Sequence, residues 1–191
     1  MGIGMKKYIR TIFITAIMAM LCIGFFMYLS NREPSQTATE KDLAKQEVDN
    51  LTTIDIEKNY PESPKEVIKL YARITKAYYK GNLTDAKIEA LGKQARILFD
   101  SELKGTQTDS EFLKALKADI ESYKSAGRYV SDYSIEDSAM VNYSTFQGRK
   151  YAFIVMTYTL RENDKLIVSR TKYTLRQDDK GRWKILFWEL V

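Results

Sequence analysis

Few side chains in this chain of 191 residues could form a nucleophilic or metal-binding site. The sequence contains no His, and its only Cys, Cys22, lies in an apolar stretch. Outside that stretch, this excludes a disulfide, a zinc site built from Cys or His, a Cys nucleophile and a His general base. Any reaction would have to use carboxylate, Tyr, Lys or Ser side chains. The sequence thus indicates neither a metal nor a cofactor.

One Ser and one Lys have a spacing that occurs in acyl-transfer enzymes. Ser101 and Lys104 form an S-x-x-K motif, in which the Lys can activate the Ser as a nucleophile. The accompanying S-D-N and K-T-G motifs of penicillin-binding enzymes are missing, and the domain is far too small for such an enzyme. We therefore interpret these residues as the end of a helix.

An uncharged apolar stretch, Thr11–Leu29, sets the expected location of the protein. It is long enough to cross a bilayer, which takes roughly 17–25 mostly apolar residues. Lys6, Lys7 and Arg10 precede it, and positive residues concentrate on the cytoplasmic side of a membrane. We predict a cytoplasmic tail over 1–10, a single transmembrane helix, and export of residues 30–191. The alternative is a cleaved signal peptide, although the apolar run is too long and lacks a small-x-small cleavage site.

The charge of the chain argues against a nucleic-acid partner. Of 30 Lys and Arg residues, only Lys6, Lys7 and Arg10 precede the apolar stretch, whereas all 25 acidic residues follow it. The exported part therefore has a net charge of only +2, with both signs interspersed. Such a domain lacks the basic surface that nucleic-acid binders carry.

The exported part divides into a polar segment and a domain. Residues 30–59 are polar and predict a tether, in which Glu40–Leu51 could form a helix. The sequence Ser63-Pro64-Lys65-Glu66 is typical of a helix start, and apolar residues follow at helical spacing up to Gly81. Further helices are predicted from Thr84 or Asp85 and from Asp109 or Ser110. The domain is therefore predicted over 60–191.

After Gly127 the apolar period changes from about 3.6 to 2, which indicates strands. The predicted strands are Tyr129–Ile135, Ala139–Phe146, Tyr151–Leu160, Leu166–Arg176 and Arg182–Leu190. Short connections between them predict that consecutive strands pair antiparallel as a meander. Three helices followed by such strands predict an α+β fold, with the helices packed on one face of a curved antiparallel sheet.

Two stretches carry a resemblance to a known fold. They are Asp179-Lys180-Gly181-Arg182-Trp183-Lys184-Ile185, and Tyr60-Pro61-Glu62-Ser63-Pro64-Lys65-Glu66-Val67 with the following Leu70-Tyr71. Together with the order of elements, the first resembles the turn and last strand of nuclear-transport-factor-like domains, also called SnoaL-like or cystatin-like. The second is similar to an uncharacterised group of single-span, membrane-anchored proteins of Gram-positive anaerobes. The resemblance covers about residues 55–191 and the anchor, and its motifs mark fold positions without carrying chemistry.

The resemblance implies a cone in which a curved sheet wraps around helices. Enzymes with this fold can use an Asp base and a Tyr oxyanion donor inside the cone. The corresponding candidates here are Asp132 or Asp100 with Tyr71, Tyr78 or Tyr133. Because the chain has 13 Tyr residues, such a pairing arises easily by chance, and an aromatic residue on a helix stripe usually belongs to the core. We therefore predict no catalytic residue.

These observations favour a membrane-anchored, extracytoplasmic binding or assembly module. The first alternative is a small hydrolase or isomerase with a carboxylate in the cone, since this fold supports both roles. The second is a component of a secretion or conjugation apparatus, where similar anchored domains occur.

The third and fifth strands are apolar on both faces, which predicts a covered outer face, because a monomer rarely exposes a large apolar patch. We predict that these strands adjoin and that their outer face binds a second copy of the chain or another protein, with a homodimer as the default. The alternative is that Ile54 and Ile56 of the tether cover this face. The fourth strand places three cations in one row, which could meet an acidic partner, a cell-wall polyanion or lipid head groups but more often form a solvated face. The predicted interaction surface comprises Tyr151, Phe153, Val155, Arg170, Lys172, Arg176, Leu186 and Trp188.

Overall fold

The computed structural model of the chain describes residues 35–80 and 83–191. The chain divides into two units, Met1–Leu43 and Ala44–Val191. The predicted tail and the predicted span Thr11–Leu29 lie outside the described residues. Among the helices that are described, none combines the length and the apolar character needed to cross a bilayer.

The described residues form five α-helices, which precede the strands as predicted. The helices are α1 (Ser35–Thr53), α2 (Pro64–Lys80), α3 (Asp85–Ile97), α4 (Ser101–Gly105) and α5 (Asp109–Ser125). Side chains cap four of them: Ser63 Oγ accepts from Glu66 N at 3.2 Å, Thr84 accepts from Lys87 N, Asp100 accepts from Glu102 N, and Thr108 forms a capping box with Glu111. These caps satisfy amide groups that a helix start leaves unpaired. The predicted helix starts are thereby confirmed.

Five antiparallel strands follow the helices, so the α+β fold class is confirmed. They are β1 (Arg128–Ile135), β2 (Asn142–Phe146), β3 (Arg149–Glu162), β4 (Lys165–Gln177) and β5 (Trp183–Leu190). The strand order is β1-β3-β4-β5, and β2 also pairs with β3. Strands β1 and β2 thus share one edge of β3, which pairs through Met156–Glu162 with β1 and through Arg149–Phe153 with β2. The predicted meander is therefore wrong at this step.

The prediction that the third and fifth strands adjoin is also wrong, because β4 lies between β3 and β5. Strand β4 pairs with β3 over its whole length, from Tyr151↔Arg176 to Glu162↔Lys165. Its other edge pairs with β5, where the register shifts between Thr174 and Leu175. In this shift, Phe187 pairs with Thr174 and Ile185 with Leu175, so that Leu186 is the extra residue of a β-bulge.

The bulge reverses the faces of the last residues of β5. Ile185 points into the core before the bulge, and Trp188 points to the same, helix-covered side after it. Strict alternation along the strand would instead place these two residues on opposite faces. The sequence prediction assumed that alternation and therefore assigned Trp188 to the outer face, which the structure corrects.

The segment from Ala44 onward belongs to the folded unit, in contrast to the predicted tether over 30–59. Helix α1 buries Leu51, which is only 1% exposed, and the residues after it bury Ile56. Glu47 on α1 forms an ion pair with Arg73 on α2, with 2.7 Å between Nε and Oε1. The segment contains few apolar residues, and its polar composition therefore led to the prediction of a tether.

Helix α5 approaches α3 closely at a glycine. A Cβ atom at Gly92 would lie 2.6 Å from Cδ2 of Leu113. A side chain at this position would force Leu113 to move, so the absence of a side chain sets the distance between the two helices. Gly92 is therefore a packing requirement that the helix tolerates despite its low helix propensity.

Candidate functional site

A cavity of about 400 Å³ lies between α2, α5 and the inner face of the sheet. Its size is within the range of small-molecule sites, roughly 300–1,000 Å³. The residues that line it are Tyr71, Thr75, Tyr79, Asp119, Tyr123, Val130, Tyr158, Leu160, Ser169, Thr171, Tyr173, Trp188 and Leu190. Aromatic rings and hydroxyl groups predominate, and no Lys or Arg side chain belongs to this lining in the described chain.

The spacing of the lining residues follows from the elements that carry them. On α2 they recur every fourth residue (Tyr71, Thr75, Tyr79), and residues at this spacing share one face of a helix. On the strands they alternate, as in the pairs Tyr158/Leu160 of β3 and Trp188/Leu190 of β5. The bulge at Leu186 is the reason that the latter pair reaches the cavity.

Three aromatic rings form one wall of the cavity. The ring centroids of Tyr71 and Tyr173 are 5.9 Å apart, and the Trp188 ring lies 6.0 Å from Tyr71 and 6.1 Å from Tyr173. These separations are typical of favourable tilted and edge-to-face contacts. The rings therefore support one another and line one side of the cavity.

The buried phenol groups of Tyr71, Tyr158 and Tyr173 stay neutral at physiological pH. Burial raises the pKa of Tyr158 to about 12 and also raises the pKa values of Tyr71 and Tyr173. The hydroxyl groups of Tyr158 and Tyr173 lie 3.3 Å apart and share a hydrogen bond. Neutral phenols can both donate and accept hydrogen bonds, so this part of the cavity can bind a polar uncharged group.

One carboxylate lines the cavity, that of Asp119 on α5. The Tyr79 hydroxyl donates a hydrogen bond to Asp119 Oδ2, and the Tyr79 ring lies against that of Tyr123 with 4.4 Å between centroids. Burial and the hydrogen bond to Asp119 raise the pKa of Tyr79. The Asp119 side chain itself is exposed, so the carboxylate lies at the solvent side of the cavity.

Asp100, one of the predicted acid–base candidates, lies outside this cavity. It follows α3 and forms a buried ion pair with Arg176 of β4, whose Nε donates to Oδ2 at 3.1 Å. Its Oδ1 accepts a second hydrogen bond from Arg176 and also caps α4 at Glu102 N. Asp100 thus has a structural role, and Ser101 and Lys104 of the S-x-x-K motif lie in α4 beside it.

Asp132, the other predicted acid, is on the surface. Its side chain is largely exposed and lies 3.2 Å from Lys76 Nζ, and this hydrogen bond lowers the pKa of Asp132. Among the predicted Tyr partners, Tyr71 lines the cavity, whereas Tyr78 borders a separate space and Tyr133 lies under Lys76. The structure thus brings neither Asp100 nor Asp132 together with Tyr71 in the cavity.

The predicted interaction surface is only partly a surface. Tyr151, Phe153 and Val155 of β3 are half-buried on the outer face, and Arg170 and Lys172 share that face. Lys172 pairs with Glu189 at 3.2 Å and lies over the Phe153 ring. The remaining three residues depart from the prediction: Arg176 is buried, Leu186 is the bulge residue, and Trp188 lines the cavity.

Lys184 is a buried cation that the sequence analysis did not single out as a functional candidate. Its Nζ donates to Ile97 O at 2.8 Å and lies 4.1 Å from the centroid of the Tyr60 ring. Burial, together with the positive charge of Arg182, lowers the pKa of Lys184 to about 8. These contacts attach the start of β5 to α3 and to the segment before α2, so we assign Lys184 a structural role.

Asp119, like Tyr158, Thr171 and Tyr173, is a functional candidate that sequence reasoning missed. The signal was available, since Asp119 lies three residues after Leu116 and four before Tyr123, on the apolar stripe of α5. An acidic residue on such a stripe faces the space under the helix. Within the described residues, no group of three or more Cys, Asp or Glu side chains could hold a metal ion.

Comparison with known proteins places the chain in a family. The model of the family described as "Domain of unknown function (DUF6715)" matches residues 1–188, which is nearly the whole chain. No curated protein matches the chain. The chain therefore belongs to the DUF6715 family.

Proposed function

We propose that this protein is a single-span membrane protein whose extracytoplasmic domain binds a small molecule in the cavity. The basic tail and the uncharged stretch Thr11–Leu29 support the anchor and its orientation. The order of helices and antiparallel strands, with a cavity between them, supports a nuclear-transport-factor-like domain. The bilayer would hold this domain at the outer surface of the cell membrane.

The composition of the cavity carries the proposal. The inner part of the cavity is lined by the buried residues Tyr158, Thr171 and Tyr173. They combine hydroxyl groups with apolar surface, as is typical of ligand sites. A catalytic acid or base in such a fold needs a desolvated carboxylate with a shifted pKa. Asp119, the carboxylate in the lining, is exposed to solvent. Binding is therefore favoured over hydrolysis or isomerisation.

A pair of neighbouring substitutions tests the cavity. Ser169 lines the cavity, whereas the next residue, Arg170, lies on the opposite face of β4. We expect Ser169→Phe to fill the cavity and reduce the binding of benzyl alcohol at least tenfold, and Arg170→Phe to leave it unchanged.

The two Trp residues provide the readout. In full-length protein in lipid nanodiscs, labelled with fluorotryptophan, fluorine NMR should show the Trp188 signal shifting with added benzyl alcohol while the Trp183 signal stays in place. The same titration of Ser169→Phe should show little shift. If the Trp188 signal responds equally in wild type and Ser169→Phe, the proposal is wrong.

A second candidate function, self-association, is favoured by the outer face of the sheet. Its exposed apolar side chains include Leu166 and Val168 of β4 and Phe187 of β5, which is 46% exposed. Lys172 and Glu189 lie on the same face and pair with each other at 3.2 Å, so a second copy would meet compensated charges there. We propose that this face forms a homodimer.

Sedimentation of the full chain in density-matched detergent tests self-association. Phe187→Lys should raise the dimer dissociation constant about tenfold, because a charge replaces an apolar side chain at the interface. Leu43→Lys on α1, which changes an even more exposed apolar residue outside the sheet, is the control. A wild-type chain that stays monomeric across the concentration series would rule out the dimer.

A further inference from the structure

We infer that the ligand of the cavity is an organic cation, namely an ammonium group attached to an aromatic or aliphatic body. This inference rests on the proposed binding function and specifies the class of ligand. It follows from the charge of the lining, from the aromatic wall, and from where the carboxylate and the rings lie within the cavity.

The charge of the lining selects against anions. Asp119 is the acidic residue of the lining, and in the described chain no Lys or Arg side chain lines the cavity to compensate it. The Tyr hydroxyl groups are neutral donors and acceptors, so they add no positive charge. The Asp119 carboxylate would therefore attract a positively charged ligand and repel an anion. A neutral ligand would gain no such attraction.

The aromatic wall favours the same class of ligand. Tyr71, Tyr173 and Trp188 present their rings within about 6 Å of one another, and the face of an aromatic ring attracts a cation, most strongly for Trp. The same faces provide apolar contact for the body of the ligand. Rings and carboxylate together are a combination that suits an ammonium compound.

The positions of these groups also suggest how the ligand is oriented. Asp119, Leu190 and the partly exposed Trp188 lie at the solvent side, whereas Tyr158, Thr171 and Tyr173 are buried. An ammonium group beside Asp119, where the carboxylate accepts from Tyr79 next to the Tyr123 ring, would keep part of its hydration, which limits the cost of desolvating a charge. The uncharged body would extend inward between the Tyr side chains.

Two probes of nearly equal size, one cationic and one neutral, test the inference. We expect benzylammonium to bind full-length protein in phosphatidylcholine nanodiscs about tenfold more tightly than benzyl alcohol, as read from the Trp188 fluorine signal. Asp119→Asn should bring the two affinities together by weakening only benzylammonium. Glu121→Gln, an acidic residue two positions away on α5 that does not line the cavity, should leave the preference unchanged.

The outcomes separate this inference from the proposed function. If benzyl alcohol and benzylammonium bind wild type equally, or if Asp119→Asn keeps the preference for benzylammonium, the inference is wrong while the binding cavity stands. If neither probe shifts the Trp188 signal of protein that is folded by circular dichroism, the binding cavity itself is wrong. A Trp188→Leu variant, followed by equilibrium dialysis, should also lose affinity for benzylammonium.

Discussion

Replacing Arg176 by Met is expected to lower the free energy of unfolding by about 3–5 kcal/mol. The side chains of Arg176 and Asp100 are only 10% and 5% exposed, and two hydrogen bonds join them. Arg176 Nη1 also donates to Glu102 Oε2 at 3.0 Å. Met fills a similar volume but leaves the Asp100 carboxylate buried without its cation. The buried, unpaired charge of Asp100 contributes more to the loss of stability than the missing hydrogen bonds do.

Chemical denaturation of the full chain in nonionic detergent measures this effect. The control is Lys172→Met, on the same strand and face, which removes an ion pair with exposed Glu189. Exposed pairs contribute little, about 0–1 kcal/mol. Adding Asp100→Leu to Arg176→Met should restore part of the stability, because no buried charge then remains. A loss below about 1 kcal/mol for Arg176→Met would show that the pair is solvated.

Replacing Leu51 by Ala is expected to be nearly as destabilising, by about 2–5 kcal/mol. Leu51 belongs to the buried core, and removing its methyl groups would leave a cavity that neighbouring side chains fill only in part. The size of the loss tests whether α1 is part of the fold, as the structure has it, or a tether, as the composition indicated.

Leu43→Ala on the same helix provides the control, because Leu43 is 60% exposed. Substitution of such an exposed residue should change stability by no more than about 0.5 kcal/mol. Denaturation curves of the two variants, recorded side by side, give the comparison. Equal stability of both variants would mean that α1 does not pack on the domain.

The parts of the fold that the sequence predicted are those that local chemistry determines. Ser63 and Thr84 mark helix starts because a capping side chain acts on amide groups within three residues. The strands of the sheet are recognisable because apolar residues alternate along them. The order of strands was not predictable in this way, since β1 and β2 share an edge of β3 through contacts between distant residues.

The site was predicted less well than the fold, for two physical reasons. The bulge at Leu186 shifts the register by one residue, which reverses the faces of every residue after it and moves Trp188 from the outer face to the cavity. The role of Asp100 depends on Arg176, which is 76 residues away in the chain. Tyr71 was assigned correctly to the interior, because its spacing on α2 places it on the apolar face.

The most direct test of the binding cavity is to find where a bound probe lies. A diazirine derivative of benzyl alcohol, irradiated with the full chain in nanodiscs, labels the side chains next to it, and mass spectrometry identifies them. The proposed function predicts label on Tyr158, Tyr173 and Trp188 that excess benzyl alcohol prevents. Label confined to outer-face residues such as Phe153 and Phe187, or label that excess benzyl alcohol does not reduce, would contradict it.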